Sequence, residues 1–208
     1  MRSIAAGLAI AMMAGALCSC GAARPSKYYE LTIPNLANSA PAAQLHTITL
    51  LIAPITASHL YRGDRVVYST GSEMGTYEYQ RWAEPPTEMI EAMLIRELRA
   101  SGRYRGVYAQ TSSARGDYLI RGHLYDFKEV SGSTLLARVT VELELRELRT
   151  GATVWTHFYT HDEPVAHKDI SAVISALDRN VRQGTNEFAA DLDQFFGAHI
   201  TTEAQVSQ

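Results

Sequence analysis

Cysteine is nearly missing from this chain: among 208 residues only Cys18 and Cys20 carry a thiol, one residue apart and close to the N-terminus. A disulfide between them would close a small strained ring, and no third cysteine exists to build a framework. Further metal ligands are missing around them too. The apolar run from Ile4 to Leu17 would span about 20 Å as a helix, short of the roughly 30 Å hydrocarbon core of a bilayer. Charge of one sign is also scarce, with 19 Lys and Arg against 22 Asp and Glu. A basic stripe for nucleic acid is therefore not expected, nor a polybasic membrane segment. No GxSxG elbow, HExxH or P-loop occurs. The chain reads as a non-enzyme, and no cofactor is expected.

What the N-terminus does have is a basic Arg2, a short uncharged run and then small residues, the layout of a secretory signal. Leu17-Cys18-Ser19-Cys20 resembles the lipobox of bacterial lipoproteins, with Cys20 at the lipidated position, Ser19 before it and Leu17 at the aliphatic one. Cys18 stands where Ala, Ser or Thr is commoner. Lipidating Cys18 instead would put the bulky Leu17 at the cleavage position. This gives a signal peptide over 1–19 and a lipidated Cys20 with a tether over 20–26, followed by a domain over 27–198 and a polar tail over 199–208. Losing Arg2 with the signal moves the formal charge from −3 to −4. Acyl chains contribute about 0.8 kcal/mol per buried methylene, so several of them hold firmly. Gly21, rather than Asp, after the cysteine resembles the pattern of lipoproteins sorted to the outer membrane. The six residues 21–26 reach about 20 Å at most, which keeps the domain near the membrane.

The rest of the chain is long enough for one domain with a sizeable core. Within Leu135 to Glu147 the odd positions through Leu145 are apolar, and Arg138, Thr140, Glu142, Glu144 and Arg146 fill even ones, which predicts a long half-buried strand. Thr150-Gly151 then turns into a second strand over Thr153 to His161. Asp117 to Val130 predicts a strand whose apolar parity changes near Leu124-Tyr125, the mark of a bulge. Shorter strands are expected at Tyr28–Ile33, Thr47–Ala53, Arg65–Ser69 and Thr76–Gln80. Helices are predicted over Pro86–Ala100, opened by prolines and closed at Ser101-Gly102, and over Asp169–Phe196 with Asp169 as N-cap. The expected fold is α+β, a mostly antiparallel sheet with two amphipathic helices packed on one face as a two-layer sandwich.

Of the seven histidines, only His157 and His161 share a strand face with acidic neighbours Asp162 and Glu163. Residues four apart on a strand are about 13 Å apart, too far to share an ion, so no metal is expected there. Gly71-Ser72-Glu73-Met74-Gly75 lacks the lysine and helix of a phosphate loop and fits a hairpin turn. The tract Tyr77-Glu78-Tyr79-Gln80-Arg81-Trp82 concentrates residue types that dominate protein interfaces. Two roles are open to Trp82, a surface contact or a core plug at a strand-to-helix junction.

YYEL, IAPITASHLYRGDRVVY and QRWAEPP together resemble the ABC-type transport auxiliary lipoproteins, at Tyr28, Tyr29, Leu31, Pro54, Leu60, Arg62, Arg81, Trp82, Ala83, Glu84 and Pro85. Pro86, where leucine is usual, and Glu30 depart from that pattern. The resemblance implies a lipid-anchored protein of the outer membrane facing the periplasm, an accessory to an MCE-domain protein and an ABC permease and ATPase that move lipids between membranes. It implies the MCE protein as partner, and a homo-oligomer is compatible with relatives that form rings. Leu60, Tyr61, Arg62, Tyr77, Tyr79, Arg81, Trp82 and Glu84 are the candidate partner-binding residues. The alternative is a stand-alone lipoprotein assisting outer-membrane or peptidoglycan assembly.

Overall fold

A computed structural model describes residues 24–32 and 46–206, with side chains described as far as Ala198. The signal segment, Cys20 and the lipobox lie outside the described residues. The strands are β1 (Lys27–Tyr29), β2 (His46–Ile52), β3 (Thr56–Ala57), β4 (Arg65–Thr70), β5 (Glu73–Trp82), β6 (Tyr104–Ala109), β7 (Tyr118–Ser131), β8 (Leu136–Glu147) and β9 (Thr153–Pro164). A 3-10 turn covers His59–Tyr61, and the helices are α1 (Pro86–Ala100) and α2 (Ile170–Val206).

β7 organises the sheet. Along one edge it pairs antiparallel with β8 over almost its full length, and β8 pairs antiparallel with β9. Along the other edge three strands dock in turn, all parallel: β2 at its start, β3 in the middle and β4 at its end. β6 extends β2 in parallel, while β5 closes a hairpin on β4 and β1 pairs parallel with β5. The fold is α+β with the helices packed on the sheet, as expected; the sheet is mixed, so the expectation of a mostly antiparallel one is matched in part. The antiparallel ladders are long and local in sequence, so they show as alternation. The parallel ones join segments distant in sequence, and local pattern does not encode them.

Alternation sets the two faces of β8. Ala137, Val139, Val141, Leu143 and Leu145 are buried under the helices, while Arg138, Glu142 and Glu144 alternate with them on the opposite side. The β7 register shifts between Leu124 and Asp126, leaving Tyr125 as the bulged residue where the parity change predicts it. At the β8–β9 turn Gly151 has φ +74°, a conformation that favours glycine. The apolar stripes of α1 (Met89, Ile90, Met93, Leu94, Leu98) and α2 (Val173, Leu177, Val181, Phe188, Leu192) join one core with the sheet. Gly102, with φ +63°, lies just past the end of α1. Asp169 caps α2, its Oδ1 accepting from Ala172 N–H at 2.9 Å. The helical backbone of α2 continues to Val206, past the expected end at Phe196. Beyond Phe196 the apolar stripe stops, so periodicity carries no signal there, although Glu203, Ala204 and Gln205 are good helix formers.

One glycine fixes how closely α2 meets the sheet. A Cβ on Gly184 would lie 2.8 Å from the ring of Tyr159. That ring is buried and its hydroxyl donates to Asn180 Oδ1 at 2.8 Å, so it cannot step aside. Gly184→Ala gains up to about 1 kcal/mol in helix propensity, against about 1–3 kcal/mol for overpacking. A net loss of about 1 kcal/mol is expected, read as a lower urea midpoint at unchanged slope. An unchanged or raised midpoint would show that the contact relaxes freely.

Candidate functional site

The three tracts singled out in the sequence meet at one corner of the sheet, although they lie up to about fifty residues apart. β1 places Tyr28 opposite Arg81 and Tyr29 opposite Trp82. Tyr29 O–H donates to Gln80 Oε1 at 3.0 Å, and Ala83 N–H donates to Tyr29 O at 2.7 Å. Trp82 N–H in turn donates to Asp64 O, which brings the RGD end of the middle tract to the same point. Leu31 is buried, and Thr32 N–H donates to Asp178 Oδ1 of α2 at 2.6 Å. Residues 28–32 are thus tied to both the sheet and the last helix.

Arg81 is the electrostatic centre of this corner. Its Nη1 donates to both carboxylate oxygens of Asp64, at 2.8 and 2.9 Å, and its Nε donates to Ser26 Oγ at 3.3 Å. The pair is partly exposed, so its direct contribution is at most about 1 kcal/mol. What it does geometrically is join Ser26, just before β1, to the loop before β4. Tyr79 carries the guanidinium of Arg24 5.4 Å from its ring centroid, a second tie to the residues before β1.

Burial separates the eight candidate partner-binding residues. Trp82 is 1 % exposed and Tyr61 2 %, so both are core residues and their direct role in a surface contact is corrected. Trp82 packs on Phe127 with centroids 5.2 Å apart, the core-plug role. Tyr61 O–H donates to Asp126 Oδ1 at 3.3 Å; burial, and next the Asp126 charge, raise its phenol well above the ordinary tyrosine range. Tyr77 O–H donates to Glu129 Oε2 at 2.7 Å, and burial followed by that hydrogen bond raises its phenol likewise. Leu60, Tyr79 and Arg81 are half-buried, while Arg62 and Glu84 are exposed. Tyr28, which the sequence reading did not include among them, is 64 % exposed at the same corner.

Beside these residues a cleft of about 150 Å³ opens between the end of β1 and α1. Leu31, Ala83, Met89, Ala92 and Met93 line it together with Glu30 and Glu84, an apolar lining with two carboxylates and two adaptable methionines. The sequence gives a signal for Glu84, through its motif, but none for the methionines, which read simply as the buried stripe of α1. On the helix-free face a second aromatic group, Tyr125 and Phe158, is exposed at 47 and 58 %. Among the described residues no helix is long and apolar enough to cross a membrane.

The fold is a small α+β domain in which three sequence tracts tie the first strand to the sheet. The chain belongs to the family described as "ABC-type transport auxiliary lipoprotein component", matched over residues 29–189. It is thus an auxiliary lipoprotein associated with ABC-type transport. In fold it is similar to protein XCC0632 from Xanthomonas campestris, 22 % identical, covering 88 % of this chain and 99 % of that one with a TM-score of 0.70. It is also similar to the hypothetical protein CT253 from Chlamydia trachomatis, 8 % identical, covering 71 % and 96 % with a TM-score of 0.52. No curated protein matches the chain.

Proposed function

We propose that this protein is a non-catalytic accessory of an MCE-type ABC transport system, lipid-anchored through Cys20 in the outer membrane and facing the periplasm, where it binds the MCE-domain protein. The observation that carries this reading is the convergence of the three family tracts at the corner where the tether enters the fold. A docking surface there lies within about 20 Å of the anchor, the reach of residues 21–26. The surface-lying members of the corner, Tyr28, Arg62, Tyr79 and Glu84, together with the adjoining cleft, supply aromatic, charged and apolar groups in one place. That is the composition of a protein contact.

The test is a photo-crosslinking amino acid placed in the full chain at Tyr28, Arg62 or Glu84, with crosslinks identified by mass spectrometry from intact envelopes. An MCE-domain protein is expected at these positions and not at Thr156, on the far edge of the sheet. Capture of wall synthases or outer-membrane assembly factors instead would overturn the reading. A Cys20→Ser chain is expected to leave the membrane fraction, and its retention there would remove the anchoring step.

A further inference from the structure

His157 plays no part in the corner described above. It extends from β9 toward α2, is 7 % exposed, and lies against the rings of Trp155 and Phe188, each with a centroid 5.6 Å from its own. Its Nδ1 is 3.2 Å from Asp191 Oδ2. Glu187 lies one helical turn before Asp191, and i, i+4 spacing puts both carboxylates on one face of α2. The ligand atoms of His157, Glu187 and Asp191 all lie within 4.8 Å of one another. His157 and His161 do not meet, as strand spacing predicts. The carboxylates that do meet His157 come from a helix some thirty residues later.

Two carboxylates this close repel each other, and a divalent cation between them converts that repulsion into attraction. One imidazole nitrogen and two carboxylate oxygens match the ligand types of zinc and other first-row ions. Ligand atoms in a tetrahedral zinc shell are about 3.3 Å apart, given zinc bonds of about 2.0 Å. The His157–Asp191 separation already meets that value, and Glu187 is exposed and free to swing inward. A second observation concerns the far side of the ring: His157 Nε2 is buried with no partner among the described residues. A ligating imidazole carries its proton on the nitrogen away from the ion and needs an acceptor there, often a water. His157 and Thr185 share the lining of an otherwise mostly apolar void of about 20 Å³, room for one such water. The hydroxyl of Thr185 donates to Arg182 O and keeps its lone pairs for that water.

We propose that His157, Glu187 and Asp191 form a binding site for a divalent transition-metal ion, zinc being the best match, which fastens α2 to the outer strand of the sheet. The ion completes its shell with water on the open side of Glu187, and it acts by holding the helix in place.

The experiment titrates zinc chloride into the full chain, purified in detergent and stripped of metal, by calorimetry and by thermal unfolding. One equivalent is expected to bind, with the unfolding temperature raised by several degrees. Trp155 fluorescence is expected to change with the same stoichiometry, its ring centroid being 5.6 Å from that of His157. Asp191→Asn and Glu187→Gln lie on the accessible side of α2 and are expected to fold, yet to weaken binding at least tenfold. His157→Gln should abolish the fluorescence response; if that variant fails to fold, the two carboxylate variants decide. No binding at 100 micromolar free zinc would overturn the proposal. So would affinity unchanged in Asp191→Asn, or a magnesium response equal to that of zinc.

Discussion

Trp82→Ala is expected to destabilise the domain by about 3–5 kcal/mol, the cost of emptying a large aromatic site in a packed core. The indole is 1 % exposed, stacks at a tilt on Phe127 and sits where β5 hands the chain to α1. Its backbone N–H also holds Asp64 O, so collapse of the site would disturb the loop that places Arg81. Trp82→Phe is expected to cost far less, about 1–2 kcal/mol. The lost volume is partly offset because Trp82 Nε1 is buried without a hydrogen-bond partner among the described residues, an unfavourable donor that phenylalanine lacks. Urea unfolding followed by circular dichroism measures both variants. A loss below about 0.5 kcal/mol for Trp82→Ala, the range of surface substitutions, would contradict the core role. Partner binding is expected to fail in Trp82→Ala only in proportion to unfolding, whereas changes at Tyr28 or Glu84 weaken binding with the fold intact.

The second large effect is expected at Asn180, whose side chain is fully buried between α2 and the sheet. Its Nδ2 donates to both Ala137 O and His161 O at 2.9 Å, and its Oδ1 accepts from Tyr159 O–H. One amide thus satisfies groups on β8, β9 and the ring that Gly184 admits. Asn180→Ala takes the amide donor from two carbonyl oxygens, at about 1–3 kcal/mol for each group left unsatisfied, while the Tyr159 hydroxyl keeps the backbone carbonyl of residue 180 as acceptor at 3.1 Å. A total loss of about 3–5 kcal/mol is expected. Asn180→Asp is expected to be no better, because it replaces the donor with an oxygen facing two carbonyl oxygens. Hydrogen exchange should show α2 and β9 opening together in either variant. A loss under 1 kcal/mol would mean that water replaces the amide at no cost.

A pH effect follows from Arg138 and Asp162, paired across β8 and β9 by two hydrogen bonds of 2.7 and 2.6 Å. The hydrogen bond from Arg138 outweighs the opposing effect of burial and, helped by the Arg138 charge, holds the Asp162 carboxyl below its ordinary value. A depressed carboxyl adds stability above its unfolded pKa and loses it as pH falls through the folded one. Both groups are over a third exposed, so solvent limits the effect to about 1 kcal/mol. Asp162→Asn should remove that part of the acid-side slope and leave stability above pH 7 lower by the same small amount.

Much of this fold was legible because β7, β8 and β9 are long and local. The alternation of Leu135–Glu147 and the parity change at Tyr125 are physical traces of one face being buried. β6 escaped because Gly106 interrupts its pattern and it follows directly on α1. The docking of β2 and β4 along one edge of β7 depends on tertiary register, which leaves no mark on either segment. Trp82 and Tyr61 show the limit of composition, since large aromatics suit a core and an interface equally. The corner itself was legible as three tracts, and their adjacency was not. His157 was weighed against His161, its neighbour in sequence, while its actual neighbours belong to a distant helix.

The seating of β1 also sets two lengths of leash. For an anchor at Cys20, residues 21–26 allow the domain about 20 Å of travel while the three residues of β1 are paired. Should β1 peel from β5, Leu31 leave the core and Thr32 release Asp178, the next described residue is His46, and residues 21–45 span at most about 85 Å. Pull from the membrane thus reaches β1 and the Arg81–Ser26 link before the rest of the sheet. The same corner that gathers the family tracts works as the latch between a short reach and a long one.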